Sequence, residues 1–192
     1  MSTRGAFGFR LDGVDRISYN HSNSYPSYLG VRMLEQAGEL LAGDRDTLKA
    51  QVRGITLVKQ GDTPDQTVQA LLAGMADLDV SGQSTSDWYC LLRNQQGDLP
   101  CCLRTGYMID SEGFLGDSLF CEWGYVLNLD EDCLEVYRGF QKAAHIQGRY
   151  ASGKAESGYF PCALVQVIPF AAIVAGEPNL KQGLLALETK GD

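Results

Sequence analysis

The sequence lacks a long, uninterrupted apolar run. The longest such stretch, "ALVQVIPFAAIVAG" at residues 163–176, is too short and too interrupted by polar residues and turn formers to span a bilayer. No basic start followed by an apolar run marks a signal peptide. These two absences predict a cytoplasmic protein without membrane contact.

Clustered positive charge is also missing. Sixteen Lys and Arg residues stand against 24 Asp and Glu residues, the net charge is −8, and no three basic residues are consecutive. A broad nucleic-acid surface needs clustered cations, so the composition excludes that class of protein. With only His21 and His145 and no Cys-x-x-Cys pair, the sequence predicts no structural metal and no cofactor.

Six cysteines are present, and their even number allows a disulfide framework as an alternative to free thiols. A chain of 192 residues is large enough to form its own core, and it shows no export signal. We therefore expect reduced, mostly buried thiols. The adjacent Cys101 and Cys102 are expected on opposite faces of a strand.

Several familiar site motifs are absent. The chain has no Gly-x-Ser-x-Gly elbow and no His-Glu-x-x-His motif, and "GFLGDSLF" lacks the Lys-Ser/Thr that completes a phosphate loop. "NLDEDCLE" spaces oxygen ligands as a calcium loop does, but Cys133 occupies the position that requires glycine. This segment is expected to be a solvated hairpin turn.

The first 80 residues predict a hairpin and three helices. Alternating apolar residues at 6–20 surround Asp12-Gly13, a strong turn signal. Helices are expected at 27–42, 47–58 and 64–78 from apolar spacing. For the third helix, Thr63 is the expected cap and Gln66 completes a capping box.

The remainder predicts a mostly antiparallel sheet. Strands are expected at 87–94 and 101–110, in a second hairpin around "LDED", and in the buried run "CALVQVIPF", with a last helix within 180–188. Strands and helices are segregated along the chain. This order predicts an α+β layered sandwich with an N-terminal hairpin and a three-helix segment, in a single domain over residues 1–192.

The stretch "YNHSNSYPSYLG" at residues 19–30 is the main candidate site. It is rich in neutral hydrogen-bonding groups and lies between a predicted strand and a predicted helix. Six residues are expected to line a pocket for a polar or anionic molecule: Asn20, His21, Ser22, Asn23, Ser24 and Tyr25. His21 is a candidate general acid or base. The alternative is that Asn23, Ser24 and Ser27 only cap the helix and turn the chain.

The opening "MSTRG" suggests a second chemistry. Removal of Met1 would leave Ser2 with a free amine, and such a residue can attack an amide with its own amine as the base. The spacing from Ser2 to the turn at Asp12 resembles the first hairpin of N-terminal-nucleophile hydrolases such as proteasome β subunits. That resemblance implies an amide hydrolase or amidotransferase-like enzyme, with Ser2 and His21 as catalytic candidates.

A further resemblance covers about a quarter of the chain. "TRGAFGFRLDGVDRISYNHSNSYPSYLG" and "EWGYVLNLDEDCLEVYRGF" resemble segments of an uncharacterised family of small proteins from bacteriophages and bacteria. Its members open with Met-x-Thr-Arg-Gly and continue through an Asp-Gly turn to Tyr-Asn-His and Ser-Tyr-Pro. The sequence departs from the family at Asn23, where aspartate is usual, and at Ser2, where many members have glycine.

The resemblance implies a phage-type setting without a known activity. Within it, the leading hypothesis is a protein that binds a small polar or anionic, nucleotide-derived molecule through Thr3, Arg4, Asn20, His21, Asn23 and Tyr25. Arg4 would supply a fixed positive charge. The alternatives are the hydrolase-like enzyme above and a module that binds and inhibits a host protein.

Overall fold

A five-stranded sheet organises the molecule. The computed structural model describes residues 3–189. Its strands are β1 (Gly5–Leu11), β2 (Val14–Asn20), β3 (Thr56–Val58), β4 (Tyr107–Ile109), β5 (Trp123–Asn128), β6 (Cys133–Arg138) and β7 (Ala163–Pro169). The main sheet has the order β2-β1-β5-β6-β7, in which only the β1–β5 pair is parallel. A separate parallel pair joins β3 to β4.

Helices complete the α+β fold that the sequence predicts. They are α1 (Val31–Leu41), α2 (Arg45–Arg53), α3 (Gln66–Leu72), α4 (Trp88–Leu92), α5 (Leu99–Thr105), α6 (Phe170–Ala175) and α7 (Leu180–Thr189). A single π-helical turn, Pro26–Gly30, leads directly into α1. The final helix agrees with the expectation for residues 180–188.

The N-terminal hairpin turns at the predicted residues. Asp12 and Gly13 both have positive φ, 55° and 74°, which is the backbone shape of a two-residue hairpin turn. Asp130, in the second hairpin's turn, accepts hydrogen bonds from the backbone N–H groups of both residues at 2.8 and 2.9 Å. The Asp130 carboxylate therefore joins the two turns, and "LDED" is the hairpin turn expected from the sequence.

The two faces of the sheet have different partners. The main core packs the large side chains of one face against helices, and it contains Phe7, Phe9, Met33, Leu48, Leu99, Tyr125, Leu127 and Phe170. The opposite face packs Ala6, Ile17, Val126 and Tyr137 under irregular segments that contribute Leu115, Cys121 and Cys162. The result is a layer of helices, a sheet, and a layer of mostly irregular chain.

A charged cluster connects the irregular layer to the sheet. Arg149 donates to both carboxylate oxygens of Asp15, at 3.0 and 2.8 Å, and also to Glu135. Tyr150 donates to Asp15 at 2.8 Å, and Tyr137 donates to Glu135 at 3.0 Å. Since every charge in this cluster has an opposite partner, it fixes the segment around Arg149 to strands β2 and β6.

The segment from residue 87 to 110 differs from the prediction of two strands. It forms helices α4 and α5, and only Tyr107–Ile109 is a strand. The carboxylates of Asp87 and Asp98 accept hydrogen bonds from the backbone N–H groups of Tyr89 and Cys101, which caps both helices. Cys101 and Cys102 therefore lie on a helix and not on a strand.

Other element boundaries also differ. Helix α2 ends at Arg53, and residues 56–58 form β3. The third helix is capped by Asp65 and not by Thr63, and it gives way to one 3₁₀ turn, Ala73–Met75, so residues 76–78 are not helical. Strand β7 lies at the edge of the sheet with Val165 and Val167 exposed, whereas a buried strand was expected.

The thiols agree with the expectation. All six cysteines are free and buried: Cys90, Cys101, Cys102, Cys121, Cys133 and Cys162.

Within residues 3–189, no helix is both long enough and apolar enough to cross a membrane.

Candidate functional site

The polar stretch after β2 forms a tightly bonded corner. The Asn20 amide donates to the Ser22 carbonyl at 2.6 Å and to the Ser24 hydroxyl at 2.8 Å. The Ser24 backbone N–H donates to the Thr3 carbonyl at 3.2 Å, and the buried Tyr125 hydroxyl donates to the Ser24 carbonyl at 2.9 Å. Part of this stretch is therefore structural, since it joins β1, β2 and β5 at one end of the sheet.

Within residues 3–189, no side chain of the polar stretch caps the helix that follows. Neither the π-helical turn nor α1 has a side-chain cap hydrogen bond at its start. The Ser27 backbone N–H instead donates a hydrogen bond to the side-chain carboxylate of Glu188, in α7, at 2.5 Å. The capping role expected of Asn23, Ser24 and Ser27 is therefore wrong, and capping does not explain the polar stretch.

A cavity of about 170 Å³ opens beside this corner. It is lined by Asn20, Ser22, Asn23, Tyr28, Leu29, Arg32, Arg93 and Gln96. Asn23 has a φ of 56°, a left-handed conformation that asparagine tolerates better than most residues. A volume of roughly 150 Å³ is enough for a benzene-sized molecule, so this cavity accommodates a small anion or the anionic end of a larger compound.

The two arginines reach the cavity from different elements. Arg32 lies in the first turn of α1, and Arg93 opens a 3₁₀ turn, Arg93–Gln95, after α4. Gln36 of α1 holds this second segment in place. Its amide donates to the Gly97 carbonyl at 3.3 Å and accepts from the Leu99 N–H at 2.9 Å.

The cavity has a positive lining. Among its described lining residues two are cationic and none is acidic. Arg32 is half-exposed and forms one ion pair at its outer side, with Asp98 at 3.0 Å. Arg93 donates through Nη1 to Gln96 at 2.8 Å, but its Nε is buried and has no hydrogen-bond partner within residues 3–189. An anion in the cavity would pair with these two guanidinium groups, which form charge-assisted hydrogen bonds with carboxylate and phosphate oxygens.

His21 lies next to this positive region. Its backbone N–H donates to the Gln96 side chain at 2.9 Å, and its Nδ1 lies 3.2 Å from the Tyr19 hydroxyl. Partial burial, followed by the charges of Arg93 and Arg4, lowers the pKa of His21 below 6.5. The imidazole is therefore neutral at pH 7, and its titration reports the local potential.

The other predicted residues lie around the corner but do not line the cavity. Arg4 stacks its guanidinium 5.5 Å from the centre of the Phe120 ring, and Tyr25 is half-exposed. Thr3 is buried, and its hydroxyl has no hydrogen-bond partner within the described range. Ser2 lies outside the described residues, so its predicted role as a nucleophile stays a prediction.

Sequence reasoning did not include Arg32, Arg93 and Gln96 in the site. Arg32 had a detectable signal, because it is a cation in the first turn of the helix that follows the polar stretch. Arg93 and Gln96 lie more than 60 residues further along, in a segment interpreted as a strand and turn. Tertiary packing alone brings them to the cavity.

No cluster of three or more His, Cys, Asp or Glu side chains within residues 3–189 is arranged to hold a metal ion. Comparison with protein-family models, with curated proteins and with solved structures gives no significant match to this chain. The geometry of the cavity is therefore the basis for assigning a function.

Proposed function

We propose that the protein binds a small anionic molecule in the cavity between the 20–29 loop, Arg32 and Arg93. The observation that carries this proposal is the pair of guanidinium groups, Arg32 and Arg93, in a cavity that has no acidic residue among its described lining. Guanidinium groups pair best with carboxylate and phosphate oxygens. The volume suits a phosphate group or a short carboxylate.

The neutral residues give the site its selectivity. Asn20, Asn23 and Gln96 place amide groups at the cavity, and Tyr28 adds a hydroxyl. Amides both donate and accept, so they can bind a protonated phosphate oxygen as well as an ionised one. The phage-type setting and the nucleotide-derived nature of the ligand stay predictions from the sequence.

Titration calorimetry with inorganic phosphate, and with acetate as the carboxylate probe, tests the proposal. Arg93→Met and Arg32→Met should each weaken binding roughly ten- to hundredfold, because each removes a charge-assisted contact of about 1.5–3 kcal/mol. Arg104→Met is the matched control, since Arg104 is exposed on α5 and does not line the cavity. Equal affinities for the Arg93→Met and Arg104→Met variants would contradict the proposal.

His21 provides a second, independent measurement. Burial lowers the His21 pKa most, and the charges of Arg93 and Arg4 lower it further, so an anion at Arg93 should raise the pKa by offsetting the contribution of charge. NMR titration of the ring protons should show this increase with phosphate present, and the Arg93→Met variant should not show it. A His21 pKa that does not change at saturating phosphate would place the anion elsewhere.

A further inference from the structure

A larger groove lies beside strand β7 and shares no lining residue with the anion cavity. Its volume of about 900 Å³ falls within the range of roughly 300–1,000 Å³ typical of small-molecule sites. The segment after β6 forms one wall, through Phe140, Lys142 and His145. Tyr159 and the start of β7 complete the groove.

Phe140 has an unusual backbone conformation in this wall. Its φ is 56°, in the left-handed region that bulky side chains rarely adopt. Its ring is 48% exposed, so core packing does not account for the choice of phenylalanine. Strained conformations of this kind concentrate at binding sites, where the surrounding structure maintains them.

Buried Ser118 maintains the conformation. The Phe140 N–H donates to the Ser118 carbonyl at 2.7 Å, and the Gln141 N–H donates to the Ser118 hydroxyl at 3.1 Å. The same hydroxyl donates to the Phe160 carbonyl at 2.5 Å. This bonding fixes the exposed Phe140 ring edge-on to Tyr159, with 6.3 Å between the ring centres.

The charges of the groove have one sign. Arg138 and Lys142 line it, and none of its described lining residues is acidic, although the chain as a whole has a net charge of −8. Hydrogen bonds hold the His145 ring in place: the Gln147 N–H donates to its Nδ1 at 3.3 Å, and its Nε2 lies 2.8 Å from the Pro161 carbonyl.

We propose that this groove binds a nucleotide, with the base against Phe140 and Tyr159 and the phosphate at Lys142 and Arg138. Two fixed aromatic rings suit a planar base, since every base offers a π-face for stacking. Two cations without a competing carboxylate suit the phosphate. The site is separate from the anion cavity and does not depend on it.

Calorimetry with adenosine 5′-monophosphate as the probe tests this proposal. Adenosine and inorganic phosphate should each bind this groove roughly tenfold more weakly than adenosine 5′-monophosphate does, because adenosine lacks the phosphate and inorganic phosphate lacks the base. Phe140→Gly is the decisive variant. Glycine adopts positive φ without strain, so thermal stability should be unchanged or higher, while affinity for the probe should fall about ten- to hundredfold.

Three further variants separate the contributions. Lys142→Gln should weaken the monophosphate and leave adenosine unchanged, and Tyr159→Leu should weaken both. Ile146→Ala is the control, because Ile146 is 92% exposed on the same segment and does not line the groove. The proposal would be overturned if Phe140→Gly and Tyr159→Leu bound adenosine 5′-monophosphate as tightly as the unaltered protein does. It would also be overturned if the unaltered protein did not bind this probe at millimolar concentration.

Discussion

At the scale of single residues, the corner between β2 and α1 depends on one buried hydroxyl. Tyr125 is fully buried, and its hydroxyl donates to the Ser24 carbonyl. Tyr125→Phe should cost about 1–3 kcal/mol of unfolding free energy, because the carbonyl loses its partner in a site without access to water. Urea denaturation measures this.

Tyr28→Phe is the matched comparison for that measurement. Tyr28 is 65% exposed, so removal of its hydroxyl should change stability by less than about 0.5 kcal/mol. An equal effect of the two substitutions would show that the Tyr125 hydroxyl does not stabilise the corner.

The sequence predicted the neutral half of the candidate site but not its charged half. Asn20 and Asn23 were recognisable because they form part of a dense local run of polar groups. Arg93 has no such context, since it reaches the cavity from a segment that is distant in the sequence. Arg4 was the expected cation, but it stacks on Phe120 instead.

At the scale of elements, the N-terminal hairpin depends on the close approach of two backbones at Gly8. A Cβ at this position would lie 2.0 Å from the Arg16 carbonyl oxygen of the partner strand. Gly8→Ala should therefore separate β1 from β2 and cost about 3 kcal/mol, because backbone atoms cannot move aside as a flexible side chain can. Thermal denaturation with circular dichroism detects the loss.

Gly113→Ala is the control for that experiment. Gly113 has open space around its Cβ position and a φ outside the positive range, so its substitution should be close to neutral. Near-native stability in Gly8→Ala would mean that the hairpin relaxes more easily than its geometry implies.

Hairpins were predictable because an Asp-Gly turn and strict alternation are local signals. Helices α4 and α5 were not, since a mostly apolar segment of five to seven residues fits a buried strand as well as a short helix. Asp87 and Asp98 were the available signals, as each stands one residue before its helix. Edge strand β7 was misjudged because a continuous apolar run does not show which strand lies at the edge of a sheet.

At the scale of the whole molecule, the Asp15–Arg149 cluster couples stability to pH. Burial alone would raise the Asp15 pKa, but hydrogen bonds from Arg149 and Tyr150 outweigh it and hold the pKa below 3.8. A carboxyl with a lowered folded-state pKa stabilises the protein above pH 3.8, and this contribution is lost as the pH falls through the folded-state value. Unfolding free energy should therefore decline steeply below about pH 4.

Asp15→Asn tests this coupling. The substitution leaves Arg149 without its bidentate partner and should cost about 3 kcal/mol at pH 7, with a shallower decline in acid. Asp62→Asn, at an exposed position, should match the unaltered protein. If the unfolding free energies of Asp15→Asn and the unaltered protein declined with the same slope below about pH 4, another carboxyl would control acid unfolding.

The parallel pairing of β1 with β5 also determines when the sheet can form during synthesis. Arg4 and Glu122, which are bonded at the start of this pair, are 118 residues apart. At ribosomal rates the N-terminal hairpin must wait on the order of ten seconds for its partner. During that interval β1 has one unpaired edge, and the side chains of Phe7 and Phe9 have no completed core. The newborn chain is therefore most vulnerable to aggregation before residue 128 emerges, and a chaperone that shields an apolar hairpin would act in that window.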